Sequence, residues 1–390
     1  MKIRIYLLLI VFLNLSCDPS KYFFNDGSVI CPNESETIRI KYFKDLPFCN
    51  VEIGGKMYNF LIDTGAPTLI SEEIFQALDL NVHHVWFVTD GDNKTKIEKF
   101  TIVPEIKIGN IRFKDIGSVV KLIETKELNY FGIDGIIGAN MLAKLFCEFD
   151  YQNSQITFHK NKSTFNTKKI DFVWDFDPKS QKTPMINGGI FDKKYDFTFD
   201  TGSNGFIDIN DEYENFKLKV NKNKIIHFEG TSTVSLYGKH DSDHYNFFKM
   251  KTNIKIGHVL FQNEIIQGSK SCLIGNQFLW DYVFWMDWES QKIYFKKQPN
   301  KKEKFYETFG FDYLFNDKKA FVVSKIADKN IPINLGDEII QIDNFRFSSI
   351  KKEDIGQYYL NRVEGNKSSI DVKVKRKNKL LTFHLKMQLF

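Results

Sequence analysis

Tyr58-Asn-Phe-Leu-Ile-Asp63-Thr64-Gly65-Ala66-Pro67 and Tyr195-Asp-Phe-Thr-Phe-Asp200-Thr201-Gly202-Ser203-Asn204 are two copies of one pattern. In each, a strand-like run leads to an aspartate and then a glycine turn, which presents the carboxylate at a strand end. Each copy has a downstream companion, Ile136-Ile137-Gly138 in the first half and Leu273-Ile274-Gly275 in the second. The spacing from aspartate to companion glycine is 75 positions in both halves. The same offset of 137 carries Pro47 onto Pro184, Tyr58 onto Tyr195, Leu142 onto Leu279, Asp150 onto Asp287 and Phe158 onto Phe295. Between these anchors Ile106-Lys-Ile-Gly109 matches Ile254-Lys-Ile-Gly257 at an offset of 148, a slip of 11 residues that is later reversed. Both changes fall in stretches that read as loops, where length varies freely. One lobe has been duplicated within the chain.

The paired Asp-Thr-Gly motifs and their companions resemble those of the bilobal, pepsin-like aspartic peptidases, with shorter lobes like those of retropepsins. The resemblance covers about Lys41 to Phe295. It implies a mainly β fold of two barrel lobes related by a pseudo-twofold axis, with Asp63 and Asp200 meeting at the lobe boundary as a catalytic dyad. It also implies that Thr64 and Thr201 brace the two loops across that boundary. Gly65 and Gly202 permit the tight turns. Because one chain carries both halves, a monomer completes the site. Two close carboxylates share a proton, so one deprotonates a water while the other protonates the substrate carbonyl. Ser203 offers a hydroxyl to Asp200 that Ala66 cannot offer to Asp63. The competing structural reading is a pair of turn-capping aspartates in a duplicated, non-enzymatic barrel.

The chain of 390 residues has room for two or three domains. Its formal charge of +5 is uneven, summing to −1 over residues 1–300 and +6 over 301–390. A near-neutral body argues against a nucleic-acid partner. The basic run Asp371-Val-Lys-Val-Lys-Arg-Lys-Asn-Lys379 reads as a hairpin edge protected by lysines, with contact to an acidic peptide or lipid surface as the alternative.

At the N-terminus, Lys2 and Arg4 precede the apolar run Ile5–Leu13 and then Asn14-Leu15-Ser16-Cys17. The run is short for a bilayer span and has the shape of an export signal. A small residue before cysteine resembles a bacterial lipobox, with Asn14 where that box carries leucine. It implies a lipidated Cys17 in the cell envelope and a membrane partner. The alternative is an ordinary cleaved signal with an incidental cysteine. Cys31, Cys49, Cys147 and Cys272 have no framework spacing, and buried thiols compete with bridges.

The divisions read as a signal over 1–17, a tether over 18–35, a first lobe over 36–160, a second lobe over 161–298 and a last unit over 303–390. Thirty-eight phenylalanines and period-two alternation favour β lobes over a helical bundle. Val82–Val103 reads as a hairpin turning at Asp90-Gly-Asp-Asn93, and His227–Met250 is its second-lobe counterpart. By family resemblance one of them closes over the cleft, and the sequence does not choose between them. The last unit resembles an α+β PDZ domain, chiefly through Leu335-Gly-Asp-Glu-Ile-Ile-Gln-Ile-Asp-Asn344. Phe309-Gly310-Phe311 matches the loop whose N–H groups receive a peptide carboxylate, beside a strand edge that accepts peptide.

Other chemistry is weaker. His240-Asp-Ser-Asp-His244 reads as a polar hairpin tip rather than a metal site, and Asp90-Gly-Asp-Asn93 as a turn that lacks a later acidic ligand. His83 and His84 read as packing or surface residues. No cofactor or metal is expected. The two functions left standing are a membrane-tethered endopeptidase acting on peptide or protein substrates and a peptide-binding lipoprotein without catalysis.

Overall fold

A computed structural model of the chain describes residues 23–91, 94–121, 132–163, 165, 169–230, 234–235, 238–239, 246–299, 306–315, 321–327, 331–347, 350, 364–365 and 367–389. The chain is mainly β, as its alternating, aromatic-rich pattern requires. No helix among the described residues is long and apolar enough to cross a membrane.

The duplication is visible as symmetry about a six-stranded sheet between the lobes. Its order is Phe172–Asp175, Lys292–Lys297, Tyr282–Asp287, Phe146–Asp150, Gln155–His159 and Ser35–Arg39. The two central strands pair as Cys147 with Met286, Glu148 with Trp285 and Phe149 with Phe284. An offset of 137 exchanges the outer pairs and maps Glu148 onto Trp285, so the pseudo-twofold axis passes between those two residues. Phe149 and Phe284 stack at 4.6 Å one rung from the axis, and Phe284 meets Phe199, which precedes Asp200, at 5.3 Å. These rings join the lobes in one core beneath the dyad strands. Each fully buried phenylalanine stabilises that core by about 1.5–3 kcal/mol.

The tether expected over 18–35 needs correction. Phe23 and Phe24 are buried against Phe100 and Val119, and Ser28–Ile30 pairs with Arg112–Lys114 of the first lobe. The two apolar rings have a sheet face to cover, so the first lobe begins before residue 28. The expected signal segment and Cys17 lie outside the described residues.

The last unit has its own core, including Phe309, Phe311, Tyr313, Val323, Ile339, Ile342 and Val374. Arg376 donates to both carboxylate oxygens of Asp337 at 2.8 and 2.7 Å, which fixes the Leu-Gly-Asp-Glu turn. Residues 351–363 of the expected α+β unit lie outside the described residues. The unit is not separate from the second lobe. Its strand Phe321–Ala327 pairs with Phe311–Phe315 on one edge, and on the other with Glu338 and with Phe228–Gly230 of the lobe. Gly230 makes that junction possible: its φ is +109°, and a Cβ there would lie 2.0 Å from the Ser324 carbonyl oxygen. Ile226, Phe228, Phe247 and Ala327 bury one another across the seam.

Candidate active site

Strand alternation places both aspartates. In Lys56–Asp63, Phe60 and Ile62 point into the core, which turns Leu61 and Asp63 to the opposite face. In Lys193–Phe199, Phe197 and Phe199 are buried in the same way, and Asp200 follows at the strand end. The companion segments run parallel alongside. Ile137 pairs with Ile62 and Gly138 with Asp63, while Ile274 pairs with Phe199. The companion glycines are explained by contact. A Cβ on Gly138 would lie 2.1 Å from Pro67 and Thr68 backbone atoms, and one on Gly275 would lie 2.5 Å from the Gly205 carbonyl oxygen. Only glycine lets the turn after each aspartate lie on its companion.

Thr64 and Thr201, both fully buried, brace the two turns reciprocally. The N–H of Thr64 donates to Thr201 Oγ1 at 3.0 Å, and the N–H of Thr201 to Thr64 Oγ1 at 3.1 Å. Each hydroxyl then donates across the boundary, Thr64 to the Phe199 carbonyl at 2.6 Å and Thr201 to the Ile62 carbonyl at 2.9 Å. Four bonds with no water between them fix one loop against the other.

The two carboxylates are thereby brought within hydrogen-bonding reach of each other. Each motif glycine faces the opposite aspartate: a Cβ on Gly65 would lie 2.7 Å from Asp200 Cγ, and one on Gly202 would lie 2.3 Å from Asp63 Cγ. Burial pushes both carboxyls above the ordinary range, Asp200 well above it, where the Asp63 charge adds to the effect. Asp63 accepts from the N–H groups of Gly65, Ala66 and Gly202 as well as from Asp200, whereas Asp200 accepts from Gly202 alone among backbone donors. Donors stabilise the charged form. Asp63 therefore holds the charge and Asp200 the proton, within a pair that titrates as a unit.

This reverses the asymmetry expected from Ser203. Its hydroxyl accepts from the Gly205 N–H at 3.3 Å and lies against Gly275, and no hydrogen bond joins it to Asp200. The turn continues through Asn204 and Gly205 and draws the hydroxyl to itself.

The two hairpins make different contacts among the described residues. The first-lobe hairpin, His84–Thr89 with Thr95–Ile108, reaches across so that the Gly91 carbonyl accepts from the Ser271 hydroxyl of the second lobe. Its counterpart, Ile225–Gly230 with Asn246–Ile256, is tied to the last unit instead. Among the described residues, the first-lobe hairpin is the one whose tip hydrogen-bonds to the other lobe.

Asn276 and Gln277 went unnoticed in the sequence. Asn276 Nδ2 donates to the Thr201 and Asp45 carbonyls at 2.7 Å each, and Gln277 Nε2 to Asp45 Oδ2 at 2.8 Å. Their signal was available: polar residues directly after Leu273-Ile274-Gly275, where the first half has Ala139 and Asn140.

In the last unit, Gly310 N–H donates to Thr308 Oγ1 at 2.9 Å, so this donor of the Phe309-Gly310-Phe311 loop is already engaged. Phe309 and Phe311 belong to the core. His84 packs edge-on against Phe23 at 5.6 Å. His240–His244 and Asp92-Asn93 lie outside the described residues. Among the described residues all four cysteines are free thiols, and no cluster of three or more His, Cys, Asp or Glu is arranged to hold a metal.

Residues 49–141 match the sequence model of a family described as aspartyl protease. This match, which contains the first motif and its companion, supports an aspartic peptidase. A search of curated proteins finds no match. Among solved structures, a retropepsin-like aspartic protease from Rickettsia conorii is similar at 20% identity, covering 34% of this chain and 94% of that one with a TM-score of 0.25.

Proposed function

We propose that the chain is an aspartic endopeptidase, exported and held to the bacterial cell envelope by lipid at Cys17, whose PDZ-like unit positions peptide or protein substrate. The observation that carries the catalytic reading is the facing pair Asp63 and Asp200, each against the other's motif glycine and braced by Thr64 and Thr201. In the first step Asp63 takes a proton from the attacking water while Asp200 gives its proton to the carbonyl oxygen, and the new C–O bond yields a neutral diol. In the second, Asp63 passes its proton to the amide nitrogen, Asp200 recovers one from a diol hydroxyl, and the C–N bond breaks. The pair ends as it began.

Peptide docking on the last unit rests on its PDZ-like sequence pattern, in which a peptide adds as a strand to a sheet edge. Stable anchoring requires more than one acyl chain, and Cys17→Ser releases the chain from the membrane fraction if lipid holds it there. The test of catalysis is incubation with a diverse peptide library. Cleavage by the parent, and its loss in both Asp63→Asn and Asp200→Asn, is the result that supports the reading.

A further inference from the structure

The turn that begins each dyad strand differs between the lobes in a way that folding does not explain. In the first lobe Gly54-Gly55 joins Leu46–Ile53 to Lys56–Asp63, with φ of +57° and +79°. The offset of 137 puts Phe191-Asp192 in the same place, between Pro184–Ile190 and Lys193–Phe199. Phe191 keeps the positive φ, +54°, which a bulky residue rarely adopts. The strain brings no burial, since the side chain is 52% exposed. Beside it the chain makes one helical turn, in which the Val220 N–H donates to the Phe216 carbonyl at 3.1 Å. Phe216 and Val220 face the core, so Leu218, halfway round, faces out and is 91% exposed. The two tips are neighbours. The Phe191 and Phe216 rings lie 6.2 Å apart, and Lys219 Nζ donates to Asp192 Oδ1 at 2.6 Å while standing 5.7 Å from the Phe191 ring centre.

We propose that this end of the second lobe docks on an anionic phospholipid surface, with Phe191 and Leu218 entering the headgroup layer and lysines engaging the phosphates. The inference goes beyond the peptidase reading and rests neither on it nor on lipid at Cys17. Charge decides the occupant. Residues 191–194 and 216–224 carry six lysines, Lys193, Lys194, Lys217, Lys219, Lys222 and Lys224, against the single carboxylate of Asp192. Asp211, Glu212 and Glu214 precede the second stretch, where Asp211 pairs with Lys193 and Glu214 with Lys217. Lys194, Lys222 and Lys224 are exposed. Leu218 stands between Lys217 and Lys219, and Phe191 just ahead of Lys193 and Lys194. The aliphatic stems of such lysines lie along an inserted apolar tip while their ammoniums stay at the phosphates. Each lysine near an anionic leaflet adds to the attraction. Docking here leaves the cleft free. Lys193–Phe199 runs from the turn to Asp200, and seven residues at about 3.3 Å each put the dyad roughly 23 Å from the tip.

The test uses the full chain carrying Cys17→Ser, so that no acyl chain is present, sedimented with vesicles of phosphatidylcholine alone or mixed equally with phosphatidylglycerol. This chain is expected to partition about tenfold or more in favour of the anionic vesicles, and less as salt rises. Adding Phe191→Gly and Leu218→Ser should lower that partitioning by about tenfold or more. Lys194→Gln, Lys222→Gln and Lys224→Gln together should lower it by a similar factor. Phe191→Gly alone should leave Tm at or above the starting value, because glycine suits a φ of +54°. A lower Tm assigns the ring to packing and overturns the inference. Equal partitioning with and without the tip substitutions also overturns it, and leaves a protein partner as the occupant. A concentration-dependent dimer that the tip substitutions dissolve makes the occupant a second copy and overturns it too. Peptide hydrolysis should be the same with and without those substitutions, so failure of docking and failure of the peptidase reading are told apart.

Discussion

Gly202 of the second lobe lies against the Asp63 carboxylate of the first, so closely that a Cβ there would be 2.3 Å from both Cγ and Oδ2. The contact is matched by Gly65 against Asp200, so the absence of a side chain in each motif makes room for the acid of the other. Gly202→Ala should displace Asp63 and lower kcat by about 10²-fold or more, because a misplacement of about 1 Å has that effect. Circular dichroism should show the fold retained. Near-parental activity in the variant would mean that the carboxylates need not approach so closely.

The Thr64 hydroxyl serves Phe199 and Thr201 at once, with no exposure to solvent. Thr64→Val keeps the shape but leaves a buried carbonyl and a buried N–H unpaired, at about 1–3 kcal/mol each. Urea unfolding should report a loss of that order, with Thr64→Ser close to the parent. Equal stability for Val and Ser at this position would show the brace to be energetically silent.

Both dyad carboxyls are raised, chiefly by burial. The working form carries one proton, so activity falls at the acid limb when Asp63 gains a second and at the alkaline limb when Asp200 loses its own. Both limbs of kcat/KM against pH should therefore lie above the ordinary aspartate value of about 3.9. The stability sign follows. A raised folded-state carboxyl favours folding below the unfolded value, and that advantage is lost as pH rises through the folded one. Asp200→Asn should thus gain most relative to the parent at high pH and least in acid. An acid limb below the ordinary value, or a stability gain confined to acid, contradicts the assignment.

Removing residues 303–390 should harm more than substrate choice, contrary to the separability that their distinct signature implies. The cut exposes Ile226, Phe228 and Phe247 and leaves the edge of Phe228–Gly230 unpaired. An open apolar edge invites aggregation. The truncated chain should show a lower Tm and self-association by light scattering, with hydrolysis of short peptides reduced in step. A monodisperse truncation with the parent's Tm would mean that the shared sheet is incidental.

Much of the site was legible because it is local. A strand of period two that ends in Asp-Thr-Gly presents its carboxylate whatever surrounds it, and an equal spacing of 75 positions between motif and companion in each half required two matching lobes. The first-lobe hairpin, with its turn near Asp90, followed from alternation in the same way. What the sequence could not weigh was competition between partners distant along the chain. Ser203 had a plausible acceptor in Asp200, but the fold turns its hydroxyl to Gly205. Phe23 and Phe24 looked like tether until a sheet face existed to bury them. Phe191 is one of thirty-eight phenylalanines in the sequence, and only the fold leaves it outside the core at a turn of positive φ. Local chemistry and the internal repeat were therefore determined by the sequence itself. Which donor meets which acceptor, and which ring stays outside the core, were decided by tertiary structure, since those choices depend on what else is buried alongside.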